Sequence, residues 1–263
     1  MDLLDELKRQ AESQKKQQEA REQDQAQILT SIHEALGGMS KYFTELANSL
    51  NVVKPEVARN YVVHGTSTLQ RLLQGDYFVR ERKKSIDFRD YFEQVTLRFH
   101  AVGQQVLSIE CFADHATDRL RNYLQAYGLR FETQAFRNDR GVTLRTVFSV
   151  LPDVPATITA VADWNTGTIR LKMRNVETIG DAEYCYEPAE VDRKLLDELA
   201  KLILGQPNEF RTMGRHQESL RVRIVARPIE RAPEHQAQAE SLPVRQPESK
   251  PGLFGGLKSL WKK

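Results

Sequence analysis

Cysteine is scarce, with only Cys111 and Cys185 in 263 residues, and the two lie in separate runs. Two thiols cannot form the framework of a small disulfide-stapled domain, so a reducing compartment is expected. Long apolar runs are missing as well: none approaches the roughly eighteen residues that a spanning helix needs. The opening M-D-L-L-D-E-L-K is acidic and runs into Gln-rich sequence. It lacks the basic and then apolar order of a secretory signal. Charge of one sign is lacking too, since 38 Lys and Arg face 36 Asp and Glu for a net charge of +2. Electrostatic recruitment must therefore come from a local patch and not from the chain as a whole. The expected location is cytoplasmic, peripheral on the inner face of the membrane if the last residues dock there.

Catalytic spacing is also lacking. No Gly-rich loop opens a helix as a phosphate cradle requires, and the six histidines show no paired metal-ligand spacing. The nearest approach is E-C-F-A-D-H, which puts Glu110, Cys111, Asp114 and His115 where a strand meets a helix. A thiol at a helix N-terminus with a nearby base is the pattern of a cysteine nucleophile. The plainer account makes Cys111 a buried core residue and Asp114 a helix cap. The expectation is a non-enzyme with no catalytic residue, no cofactor and no metal, and a cysteine-dependent enzyme ranks a distant third.

Turning to what is present, four segments follow one another. Residues 1–54 are helix formers without Pro. Their first half has little to bury, and an apolar stripe then begins at Ile28 and runs through Ile32, Ala35, Met39, Tyr42 and Leu46. Such a stripe suits either self-association as a weak coiled coil, giving a homo-oligomer, or docking on the chain's own domain. Gly37-Gly38 is expected to bend or interrupt the helix.

Residues 55–213 carry repeated alternating or β-branched runs at 94–102, 105–112, 129–136, 142–150, 156–164, 168–174 and 182–186. Asn165-Thr166-Gly167 marks a hairpin turn, and the short connections leave no room for helical crossovers. Two helical patterns interrupt the runs. One starts at Asp114 and closes at Gly128; the other opens at Pro188 and closes at Gly205. The expected fold class is α+β, a mainly antiparallel sheet with two or more packing helices. A long N-terminal helix or weak coiled coil precedes it, and a disordered C-terminal tether follows.

The tether is assigned to residues 214–251. Leu220, Val222 and Ile224 are a candidate edge strand there, and beyond them come five of the chain's ten prolines. Residues 252–263, G-L-F-G-G-L-K-S-L-W-K-K, form an amphipathic tail. On a helix Leu253, Phe254, Leu257, Leu260 and Trp261 share an arc of roughly 120°. Lys258, Lys262 and Lys263 lie on or beside the polar side. The segment suits shallow docking on a membrane surface or in a protein groove.

One more pattern concerns the sheet. In T-I-R-L-K-M-R the apolar residues face one side, so Arg170, Lys172 and Arg174 face the other. The same alternation turns Arg98 and Arg145 outward. If their strands are neighbours, the five form an anion-binding face; R-E-R-K-K at 80–84 adds to it. An ordinary wet sheet face with cross-strand carboxylates is the plainer account. Two functions therefore stand before the structure. The first is a non-enzymatic adaptor that self-associates and docks by its tail, and the second is a nucleic-acid or polyanion binder using the basic face.

Overall fold

A computed structural model describes residues 3–65 and 67–213, with the side chains of residues 3–5, 7 and 8 excepted. The assignments made above for 214–251 and 252–263 lie outside the described residues.

The first element is a single helix, α1 (Leu3–Val53), 51 residues and about 75 Å long. It runs unbroken through Gly37-Gly38, against the expected interruption. The reason is packing: a Cβ on Gly37 would lie 3.3 Å from the Phe92 ring, so the missing side chain admits that ring against the helix. Its two halves differ in environment. Residues 9–27 are exposed on all sides, while Ile32, Leu36, Met39, Phe43, Ala47 and Leu50 are buried in the main core. The stripe is thus covered by the chain's own domain. Ile32 and Met39 are core residues, and Ile28, Ala35, Tyr42 and Leu46 pack partly buried around them. Neither Ile32 nor Met39 is left free to meet a second copy.

The core partner is a five-stranded sheet made of β3 (Leu73–Ile86), β4 (Arg89–Val102), β8 (Asp153–Asp163), β9 (Thr168–Arg174) and β10 (Asp181–Tyr186), in spatial order β10-β9-β8-β4-β3. Every pairing is antiparallel, as the short connections predict. Alternation assigns Val95, Leu97 and Phe99 of β4, Ala156, Ile158 and Ala160 of β8, and Ile169, Leu171 and Met173 of β9 to one face. All nine are buried with α1. The turn between β8 and β9 is the one read from Asn165-Thr166-Gly167. Gly167 takes φ +71°, and the Asp163 carboxylate accepts from the amides of Asn165 and Thr166.

The last helix, α3 (Arg193–Leu204), joins the same core through Leu195, Leu196, Leu199, Leu202 and Ile203. Pro188 opens a one-turn 3₁₀ helix ahead of it; the α-helix itself is capped by Asp192, whose side chain accepts from the amide of Leu195 at 2.8 Å. Gly205 ends it in the left-handed conformation, as predicted.

Between β4 and β8 the chain builds a second, smaller sheet. It contains β5 (Leu107–Cys111), β6 (Phe131–Arg137) and β7 (Thr143–Val150) in the order β5-β7-β6, with α2 (Asp114–Ala126) over its inner face. Leu120 and Leu124 of α2 share a core with Ile109, Cys111, Phe148 and Val150. Gly128 closes α2 at φ +71° as expected, but the N-cap is Ala113 and not Asp114, which sits in the first turn without a capping hydrogen bond. A short hairpin, β1 (Tyr61–His64) with β2 (Ser67–Leu69), adds Tyr61, Val63 and Leu69 to the second core.

Candidate functional site

Since α1 and α3 share a core with one face of the five-stranded sheet, the other face is left open among the described residues, and no helix of theirs covers it. The register lines its side chains up in three rows. Phe78, Arg98, Thr157, Arg174 and Asp181 form the first. Arg80, Thr96, Thr159, Lys172 and Glu183 form the second. Arg82, Gln94, Val161, Arg170 and Cys185 form the third. Rows are about 6.6 Å apart along the strands, and neighbours in a row are about 4.8 Å apart. Six cations therefore stand in two banks, Arg80, Arg82 and Arg98 on one side and Arg170, Lys172 and Arg174 on the other. Between them runs a floor of smaller side chains, Thr157 and Thr159 of β8 with Thr96 of β4, and Thr96 is only 3 % exposed.

The two banks are not equally engaged. Arg82 pairs with Glu93 at 2.6 Å, Arg170 with Asp163 at 2.8 Å and Arg174 with Asp181 at 2.8 Å. The bond to Asp181 holds the Arg174 guanidinium above its ordinary pKa. Exposed pairs of this kind contribute about 0–1 kcal/mol, so a phosphate can compete with the carboxylate. Arg80, Arg98 and Lys172 are exposed and make no ion pair within 4.0 Å among the described residues. Cations on an edge strand also discourage edge-to-edge pairing, which accounts for part of β3. Arg98 and Lys172 lie on interior strands, where that account does not apply.

Of the five basic residues singled out in the sequence, the structure brings four together: Arg98, Arg170, Lys172 and Arg174. Arg145 does not join them. It lies on β7 in the other sheet, bound to Glu110 at 2.8 Å and 4.5 Å over the Phe136 ring. Alternation tells which way a side chain points but not which strand is its neighbour.

Sequence reasoning missed the aromatic residues of the β3–β4 hairpin. Phe78 is 59 % exposed, directly across from Arg98, and Phe88 is fully exposed at the tip. Ile86 pairs with Arg89, so Asp87-Phe88 is a two-residue turn, and both residues have positive φ, 50° and 62°. Asn-Gly is the sequence that such a turn prefers. A bulky residue held there costs roughly 1–2 kcal/mol. Phe88 thus occupies a position that folding alone would give to glycine.

The thiol candidate has the opposite character to a nucleophile. Cys111 is 5 % exposed, faces the second core, and burial raises its pKa. His115 is exposed on the first turn of α2 and no hydrogen bond joins it to Cys111. Among the described residues no group of three or more His, Cys, Asp or Glu is arranged to hold a metal ion, and no helix is long and apolar enough to cross a membrane.

No family model, curated protein or solved structure matches the chain.

Proposed function

We propose that the chain is a non-enzymatic binding protein that holds a nucleic acid on the open face of its five-stranded sheet. The observation that supports this reading most is the pair of cationic banks across a floor of small side chains, with Arg80, Arg98 and Lys172 free of ion pairs among the described residues. Phosphates release counterions when such residues neutralise them, so binding weakens as salt rises. Changing Arg80, Arg98 and Lys172 together to Ser should make the slope of log K against log salt shallower by about 2 on a single strand, at roughly 0.7 per phosphate contact. The fold should be unaffected because all three are exposed. Failure of the intact protein to bind either DNA or RNA at low salt would dispose of the reading.

A second reading draws support from residues 252–263, whose apolar arc and lysines suit an anionic lipid surface. In it the protein is an adaptor docked reversibly by its tail, and the projecting residues 9–27 of α1, exposed on all sides, are the part of the helix available to a second copy. Mixed with anionic vesicles, a peptide of 252–263 should become helical, and Trp261 emission should move to the blue. Leu257→Asp with Trp261→Ser should remove both changes. Tryptophan emission unmoved over every vesicle composition would leave a protein groove as the tail's target.

A further inference from the structure

We infer that the nucleic acid bound on the open face is single-stranded, with its bases stacking on Phe78 and Phe88 while Arg80 and Arg82 between them meet the phosphates. This rests on the reading proposed above. The four residues lie along one strand and its turn. Phe78, Arg80 and Arg82 alternate on the outward side of β3, and Phe88 ends the hairpin.

An intact duplex presents phosphates and groove edges to a sheet face, so an exposed ring finds a base there only at the cost of unstacking a step. A single strand presents the flat faces of its bases, and every base stacks on an aromatic ring whatever its identity. Neither ring is accounted for by packing. Phe78 is more than half exposed beside Arg98, which makes no ion pair among the described residues, and Phe88 is fully exposed in a left-handed turn position that glycine fits better. The outer half of the hairpin is also cationic, with Arg80, Arg82 and Arg89 close in sequence to the tip. The carboxylates of Asp87 and Asp90 flank Phe88 and repel phosphates at the tip, so in this arrangement the ring meets an uncharged base face while the phosphates lie back at Arg80 and Arg82.

The test uses the full chain, fluorescence anisotropy, and three probes: a short oligothymidine, a duplex of the same length and heparin, which has charge but no bases. The unmodified protein should prefer the oligothymidine to the duplex. Phe78→Ala and Phe88→Gly should each weaken oligothymidine binding roughly 5- to 150-fold, the range that loss of one stacked base gives. Affinity for heparin and the salt slope should not change, since no charge is removed. Phe88→Gly should also melt at a temperature equal to or above that of the unmodified protein, which separates lost stacking from lost structure. Equal affinity for single strand and duplex, or phenylalanine variants that bind oligothymidine as before, would overturn the inference and leave the basic face standing as a polyanion site. Absence of binding to every probe at low salt would instead remove the underlying reading, and this inference with it.

Discussion

Met39→Glu should destabilise the domain itself and not merely separate one copy from another. Met39 is 2 % exposed in the core that α1 forms with the five-stranded sheet and α3. A glutamate there has two courses open. It ionises without a partner in an apolar site, or it stays protonated at the expense of a raised pKa. Either way the loss is about 3–5 kcal/mol, the range seen when a buried charge has no counter-ion. A domain's whole stability is on the order of 5–15 kcal/mol, so this change consumes a large part of it. For a chain of this size each kcal/mol moves Tm by about 2–4 °C, so the fall should be at least 6 °C or so. Lys41→Ala, two residues along on the exposed side of α1, should leave Tm where it was. Circular dichroism melts with light scattering distinguish the cases. A Met39→Glu protein with unchanged Tm but reduced mass would show that the stripe is an interface between copies after all.

That outcome bears on what an apolar stripe says. The spacing of Ile28, Ile32, Ala35, Met39, Tyr42 and Leu46 specifies a helix with one buried side, and the helix is there. It does not say whether the covering surface belongs to the same chain, because a sheet and a partner helix require the same spacing. Strands with one covered face were legible for a similar reason. T-I-R-L-K-M-R alternates because one side meets α1's core and the other meets water, and β9 has that burial pattern residue for residue. β3 was not legible. Its last residues, K-K-S-I at 83–86, extend past the region where β8 pairs with β4, so no buried face imposes alternation on them.

The same gap hid half of the candidate site. Arg98, Arg170, Lys172 and Arg174 were read from alternation, whereas Phe78 and the turn that exposes Phe88 depended on recognising β3. Arg145 erred in the opposite sense. Its direction was read correctly, but residues 103–152 close on themselves as a separate sheet, a non-local fact that no local period encodes. Gly37-Gly38 makes a related point. Glycine in a helix weakens it by propensity, yet here close approach of Phe92 decides the outcome.

Asn175→Ala should be among the most damaging substitutions in the chain even though it removes few atoms. Asn175 is fully buried immediately after β9, at φ +54°. Its amide nitrogen donates to the carbonyl of Tyr127, at the end of α2, at 2.9 Å and to that of Pro155, in β8, at 2.8 Å. Its side-chain oxygen accepts from the amide of Gly180 at 3.2 Å, just before β10. One side chain thereby ties the smaller sheet's helix, the main sheet and the β9–β10 loop. Alanine satisfies none of those three groups, and each buried group left unpaired costs about 1–3 kcal/mol. Alanine also tolerates the left-handed conformation less well than asparagine, which adds roughly 1 kcal/mol. With partial relaxation the expected loss is about 3–5 kcal/mol, a fall in Tm on the order of 10 °C. Glycine at the same position removes the conformational part alone, so Asn175→Gly should be milder than alanine by about that 1 kcal/mol. Asn175→Asp should be no better than alanine despite its matching shape, because a carboxylate oxygen would face the carbonyls of Tyr127 and Pro155. Denaturant melts of the three variants give the comparison directly. Stability of all three within about 1 kcal/mol of the unmodified protein would mean that these hydrogen bonds do not hold the two sheets together, since typical surface changes fall within half of that.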